Sequence, residues 1–181
     1  MTFAPDTQAS LRTVVNLLNT NSGLVDKLET VGDLDYFLDT ERFTGARANN
    51  LAELRSIRQL RSQLHDIWTA DEDNAVRRVN AILRNAQALP QLIKHDEWDY
   101  HLHATTQSAP LYDRMAVEAA MAVAEVIRSK GLERLRICAS PDCRAALVDL
   151  SRNRSKLYCD TGNCANREHV RAYRARKARR A

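Results

Sequence analysis

The four cysteines of this chain are spaced Cys138-x4-Cys143-x15-Cys159-x4-Cys164, and that spacing restricts the C-terminal fold more than any other feature. Two pairs of equal spacing separated by a short loop suit a tetrahedral four-thiolate zinc site. Each pair forms a turn that aims two sulfurs at one point, and the residues between let the turns meet around the ion. A catalytic zinc keeps an open coordination position, whereas four cysteines close the shell. The expectation is therefore one structural Zn2+ per chain, held by Cys138, Cys143, Cys159 and Cys164. Two disulfides would suit a secreted domain, but the N-terminal MTFAPDTQASLRTVV lacks the basic and apolar regions of a signal peptide. No Cys-x-x-Cys redox pair is present either. A cytoplasmic setting follows from the same reasoning.

Charge divides the chain at the same place. Residues 1–127 carry 12 Lys and Arg against 18 Asp and Glu, a net −6, while residues 128–181 carry 15 against 5, a net +10. An acidic body with a basic tail points to a polyanion as partner of the tail alone. No apolar run approaches the roughly 18 residues of a membrane span. The nine Gly and Pro residues and the 6% aromatic content favour helices over a β-sandwich.

The order of elements follows from periodicity. Asp6–Thr20 reads as a helix with Leu11, Val14, Val15 and Leu18 on one face and Asp6 as its cap. Val31–Thr40 is a short second helix, and Gly45 closes the loop after it. In Asn49–Thr69, Leu51, Leu54, Ile57, Leu60, Leu64 and Ile67 recur every three or four residues, with Arg55, Arg58 and Arg61 outside the stripe. A fourth helix starts at Asp71 or Asp73 and runs to about Ala88, ended by Pro90. The period then changes to two. Gln91–Lys94 and Trp98–Thr106, joined by a turn at His95-Asp96-Glu97, predict a β-hairpin with Trp98, Tyr100, Leu102 and Ala104 on one face. His101 and His103 on the other face are read as solvated rather than as metal ligands. Leu111–Lys130 is an alanine-rich core helix stopped by Gly131. Asn16 and Asn19–Asn21 are read as helix-end caps.

The C-terminal stretch is expected to pair Ala145–Asp149 with Lys156–Tyr158 as strand, loop and strand, with Arg152 and Arg154 at the tip. A helix then starts near Asn163. On its wheel Arg167, Arg171 and Arg174 form one stripe, Asn166, Val170, Tyr173 and Lys177 the next, and Ala172 and Ala175 face inward. Guanidinium forks suit phosphates and guanine edges, and an amide suits adenine. The candidate nucleic-acid contacts are Arg152, Arg154, Lys156, Asn166, Arg167, Arg171, Arg174 and Lys177.

The segment RLRICASPDC…LVDLSRNRSKLYC…NCANREHVRAYRARKARR resembles the CGNR zinc-finger family of bacterial transcription regulators. In that family a mostly helical N-terminal domain called ABATE precedes the finger. The resemblance covers Arg134 to Arg180: both cysteine pairs, the Asp149-x-Ser151-Arg152-Asn153-Arg154-Ser155 run, Asn166-Arg167 and Ala172–Arg176. Val15–Thr20 and Trp98–His103 are similar to the N-terminal domain. One position departs from the pattern, since Ala165 stands where the signature glycine would be. The resemblance implies a mainly α protein: a helical body with a small β-hairpin over residues 1–131, then a four-cysteine finger with a basic helix over residues 132–181.

The resulting expectation is a zinc-dependent regulator binding duplex DNA, its body sensing a small-molecule effector, forming a homodimer, or both. An RNA-binding or ribosome-associated finger protein is the alternative. The chain contains no nucleophile–base motif, glycine-rich phosphate loop or paired catalytic carboxylates at a recognisable spacing, so it is not expected to be an enzyme.

Overall fold

The computed structural model describes residues 3–95 and 98–179, without the side chains of His95 and Trp98. Five helices build the body: α1 (Pro5–Asn19), α2 (Val31–Thr40), α3 (Leu51–Trp68), α4 (Glu72–Asn85) and α5 (Leu111–Arg128). Strands β1 (Gln91–His95) and β2 (Trp98–His103) stand between α4 and α5 as an antiparallel hairpin. A 3-10 turn at Leu132–Arg134 leads into β3 (Leu135–Ile137) and β4 (Ala146–Val148), and α6 (Cys164–Ala178) ends the described chain. The fold is mainly α, as the periodicities predict.

The caps explain where the helices begin. Thr30 and Asp33 form a reciprocal capping box on α2. Asn50 accepts from the Glu53 amide and Asp71 from the Asn74 amide, capping α3 and α4. α1 starts without a side-chain cap. Pro5 takes its first position and Asp6 falls inside the first turn, so Asp6 is not the cap. Left-handed residues close three of the helices: Arg42 (φ 54) lets the Phe43 amide reach the Leu38 carbonyl at the end of α2. Gln87 (φ 48) lets the Ala88 amide reach the Leu83 carbonyl, ending α4 at Asn85, ahead of Pro90. Lys130 (φ 53), not Gly131, plays that role for α5.

α5 packs against α1, α3 and α4, and its buried Ala116, Ala119, Ala120 and Ala122 let those helices come close. Leu11, Leu17, Ile57, Leu60 and Leu64 fill the space between them. Arg61 belongs to this interior too, contrary to its expected place outside the stripe. Its guanidinium grips both Asp26 oxygens at 2.7 and 2.6 Å and the Thr20 hydroxyl at 2.7 Å. The Arg61 guanidinium holds the Asp26 carboxyl down at about 2, with the Leu28 amide and Arg58 adding to the effect against burial.

The β1–β2 pairing forms as expected, whereas the C-terminal pairing differs. On the β1–β2 hairpin, Leu92 lies opposite Leu102, and Leu92, Tyr100 and Leu102 are exposed, so this apolar face looks outward. His101 and His103 are not solvated singly: their Nε2 atoms lie 2.8 Å apart, with His101 Nδ1 at 2.7 Å from the Asp99 carbonyl. The expected turn residues Asp96 and Glu97 lie outside the described residues. In the C-terminal part, β4 pairs with β3, Leu135 opposite Val148 and Ile137 opposite Ala146. Lys156–Tyr158 forms no strand.

This pairing makes β4 the layer between body and finger. Ala146 and Val148 join Leu135 in the body core, while Ala145 and Leu147 point the other way, against the cysteines. Strand periodicity puts alternate residues on opposite faces, so one three-residue strand serves both cores. The body grips the hairpin directly. Asn19 at the end of α1 donates to the Ala146 carbonyl and accepts from its amide, at 2.9 and 2.7 Å. Trp68 at the end of α3 donates to the Arg136 carbonyl at 3.1 Å. Asn19 is buried, and its role is this clamp rather than a helix cap.

Candidate metal centre and nucleic-acid interface

Each half of the finger supplies two sulfurs. The β3–β4 hairpin brings Cys138 and Cys143 together, with the Cys138 amide bonded to the Ala145 carbonyl and the Cys143 amide to the Ser140 carbonyl. Cys159 and Cys164 bracket a turn that runs into α6. The four sulfurs all lie within 4.8 Å of one another. Cys159 Sγ is 3.7 Å from both Cys143 Sγ and Cys164 Sγ. Tetrahedral Zn–S bonds of about 2.3 Å require sulfurs about 3.8 Å apart, whereas a disulfide would bring two of them to about 2.05 Å. The donor set therefore fits one structural zinc ion. Among the described residues it is the one group of three or more potential ligands close enough to hold a metal.

The surroundings suit thiolates. The Cys159 amide points at Cys138 Sγ (3.4 Å), the Thr161 hydroxyl at Cys159 Sγ (3.3 Å) and Arg167 Nη2 at Cys164 Sγ (3.1 Å). Burial pushes the Cys143 thiol up to about 12. At Cys159 burial acts in the same sense, but hydrogen bonds from Thr161 and the Gly162 amide and the neighbouring sulfurs bring it down to about 7. Four adjacent thiolates need a dication to offset their repulsion, so metal binding and thiol deprotonation are coupled.

The Asp149–Ser155 run folds around one buried carboxylate. Asp149 accepts from the Ser151 amide and hydroxyl at 2.9 and 2.5 Å and from the Lys156 amide at 2.8 Å. Arg136 lies 3.5 Å from its other side. Burial opposes this charge, yet the Ser151 and Lys156 hydrogen bonds and the Arg136 guanidinium hold the carboxyl below the usual carboxylate range. Arg134 Nη1 binds the Asp149 and Ser151 carbonyls, and Arg136 binds those of Lys156 and Arg154. Sequence reasoning overlooked Arg134 and Arg136 because basic residues in a basic tail look like surface charge; their bonds to backbone carbonyls are set only by the tertiary fold.

The eight candidate nucleic-acid contacts separate into two sets. Arg154 pairs with Glu133, Lys156 with Asp160 at 2.5 Å, Arg167 with the Cys164 sulfur, and Arg171 with both Asp142 and Glu168. Arg152, Asn166, Arg174 and Lys177 are exposed, and among the described residues no hydrogen bond or ion pair occupies their side chains. On α6 this division is angular. At about 100° per residue, Cys164, Arg167, Glu168 and Arg171 share the side docked on the knuckle, where Ser140 donates to Glu168 at 2.9 Å. Asn166, Val170, Tyr173 and Lys177 fall within an arc of about 60° on the other side, and Arg174 lies at the boundary, about 20° round from Arg167. Ala172 and Ala175 do not pack inward, since every α6 residue from His169 to Ala178 is exposed. Ala165 sits in the exposed first turn.

Two family models match, in chain order. The ABATE model, described as "Putative stress-induced transcription regulator", matches residues 11–130, and the CGNR zinc finger model matches residues 134–177. No curated protein matches the chain. No helix among the described residues is long and apolar enough to cross a membrane. With its helical body matched over most of its length and its four cysteines gathered in the finger, the chain belongs to the ABATE family and carries a CGNR zinc finger.

Proposed function

We propose that this protein is a zinc-dependent transcription regulator that binds duplex DNA through the finger, with zinc in a purely structural role on Cys138, Cys143, Cys159 and Cys164. The observation that carries this reading is the sorting of α6. One side is pinned to the metal knuckle, the other presents Asn166 and Lys177 with Val170 and Tyr173, and Arg174 stands at the boundary; among the described residues no hydrogen bond or ion pair occupies the side chains of Asn166, Arg174 or Lys177. Fifteen residues make a rod of about 22 Å, and a major groove about 12 Å wide admits such a helix. A helix exposed along its whole length from His169 onward is marginal in water by itself, and a polyanion would offset its charge repulsion. Arg152, on the Asp149 loop, is the phosphate contact from the second side.

Arg167 and Arg171 act one step back, aiming α6 from the knuckle, and Arg154 and Lys156 brace the loop. The division at residues 131 and 132 is one of role rather than of packing, because β4 is shared by both cores. A single small finger buries little DNA surface against a genome of competing sites, which favours a homodimer formed through the body on paired half-sites. RNA is the less supported partner: Tyr158 packs against the cysteine cluster, leaving Tyr173 as the exposed aromatic of the finger among the described residues. The body then serves as sensor, the whole chain works in the cytoplasm, and no catalytic step is assigned to it. Fluorescence anisotropy with duplex DNA, duplex RNA and single strands tests the reading. Duplex DNA is expected to bind tightest, with a steep salt dependence.

A further inference from the structure

The body contains a cleft of about 660 Å³, between the N-terminal half of α1, the loop after α2, the end of β2 and the outer side of α5. That volume lies within the range of about 300–1,000 Å³ typical of small-molecule sites. Its walls are largely apolar, with Phe3, Phe43, Leu83 and Met121 among them.

The charged groups around it are unequally engaged. Arg114 bonds to the backbone carbonyls of Ala109, Thr44 and Ala46 and lies over the Phe43 ring, 5.3 Å from its centroid. Gly45 belongs to this arrangement: at φ +97, a Cβ there would lie 2.5 Å from Arg114 Nη1. Arg128 pairs with Glu125 at 3.2 Å, and His101 and His103 contact each other. Glu41 differs from these. Its two oxygens accept from Thr13 at 2.9 Å and Asn16 at 2.8 Å, both neutral donors, and no ion pair reaches it among the described residues. Its carboxylate is thus fixed in direction at the cleft wall with no cation in ion-pair contact among the described residues, although Arg42 and Arg114 line the same cleft. Asp6 and Glu118 add further negative charge to the lining, whereas Glu125 is offset by Arg128, and the body as a whole carries a net −6 over residues 1–127.

We propose that this cleft binds a hydrophobic cation, such as a bulky amine or an aromatic onium ion, with Glu41 as its counter-charge, and that α1 relays occupancy to the finger. The apolar walls take the body of the ligand, aromatic faces favour a cation over an anion, and a low-dielectric wall strengthens the pairing with Glu41. The relay rests on reading the chain as a regulator, and its parts lie along one helix. Thr13 and Asn16, which hold Glu41, lie nearly two turns and about one turn before Asn19, the residue that clamps Ala146 of β4. At the other end, Phe3 lines the cleft and stacks under Arg134 at 5.7 Å, the residue that holds the Ser151 carbonyl of the DNA-facing loop.

The test uses the zinc-loaded full chain and a pair of probes matched in shape and opposite in charge, tetraphenylphosphonium and tetraphenylborate, titrated calorimetrically without DNA. Tetraphenylphosphonium is expected to bind at one site per chain, about tenfold or more tighter than tetraphenylborate. Glu41→Gln, checked by its melting curve, should weaken the cation about tenfold and leave the anion unchanged. Equal binding of both ions, no binding of the cation, or full affinity in a folded Glu41→Gln variant overturns the site. Because DNA is absent, a chain that binds DNA but not the cation loses this proposal and keeps the regulator reading. A chain that binds the cation but not DNA does the reverse. For the relay, saturating tetraphenylphosphonium should change amide exchange in residues 149–156 of the native chain, and Asn19→Ala should abolish that change while binding the probe equally. Unchanged exchange in the native chain overturns the relay.

Discussion

Asn19 and Ala146 are joined by two hydrogen bonds, amide to carbonyl at 2.9 Å and backbone N–H to side-chain oxygen at 2.7 Å, so that one asparagine takes the place of a neighbouring strand. Ala146 lies on the outer edge of β4, where an unpaired N–H and C=O would otherwise be buried. A body helix thereby completes a finger sheet, and the two parts of the chain share one register.

Asn19→Ala should therefore destabilise the chain by about 2–3 kcal/mol, since it leaves both backbone groups of Ala146 without partners. Asn19→Asp should also destabilise, because a carboxylate then faces the Ala146 carbonyl. Urea denaturation followed by far-UV circular dichroism measures both. A loss below about 0.5 kcal/mol, the size of an ordinary surface change, would show that the clamp contributes nothing.

Arg61 is buried around Asp26, and removing one partner should be severe. Asp26→Asn is expected to cost about 3–5 kcal/mol by stranding the guanidinium. The pH dependence has a definite sign. The Asp26 carboxyl sits at about 2 when folded and near 3.9 when unfolded. Its contribution is complete above about pH 4 and is lost as pH falls towards 2. The native chain should lose stability across that window more steeply than Asp26→Asn, as followed by acid titration of the helical signal.

Asp149 organises the loop that carries Arg152. Asp149→Ala strands the Ser151 and Lys156 amides beside Arg136 and should cost about 3 kcal/mol. It should weaken binding to all DNA sequences alike, because a loosened loop loses phosphate contacts and no base contact. A change in base preference, read by competition with altered duplexes, would contradict this.

Much of this was legible in the sequence, for physical reasons. Leu51 to Ile67 recur at helical spacing whatever surrounds them, and paired cysteines at equal spacing imply a shared ion. What escaped depends on distant register. Nothing local marks Leu135–Ile137 rather than Lys156–Tyr158 as the partner of β4, because three-residue strands carry too little periodicity. Asn19 and Arg61 carry ordinary helix-surface residue types, and only the arrival of Ala146 and Asp26 turns them inward. The α6 arginines looked alike in sequence, whereas Asp142, Glu168 and the Cys164 sulfur separate Arg167 and Arg171 from Arg174.

That separation is testable. Arg174→Ala should cost about 1–3 kcal/mol of binding to a preferred site and leave zinc affinity and melting temperature unchanged. Arg167→Ala should lower zinc affinity by about 10- to 100-fold, as expected for a residue bonded to a metal ligand. Competition with a zinc chelator and anisotropy on the same preparations give both numbers. Equal behaviour of the two variants in both assays would remove the distinction between the engaged and the unengaged arginines of α6.

The most direct test of the central claim is selection of binding sites from a random duplex pool with the intact protein, run zinc-loaded and chelated, with metal measured in each preparation. The account predicts one zinc per chain, lost in Cys138→Ser, Cys143→Ser, Cys159→Ser and Cys164→Ser, and an enriched duplex motif that disappears on chelation and returns with zinc. A zinc-loaded chain that enriches no motif, or one that keeps its motif after the metal is removed, would contradict it.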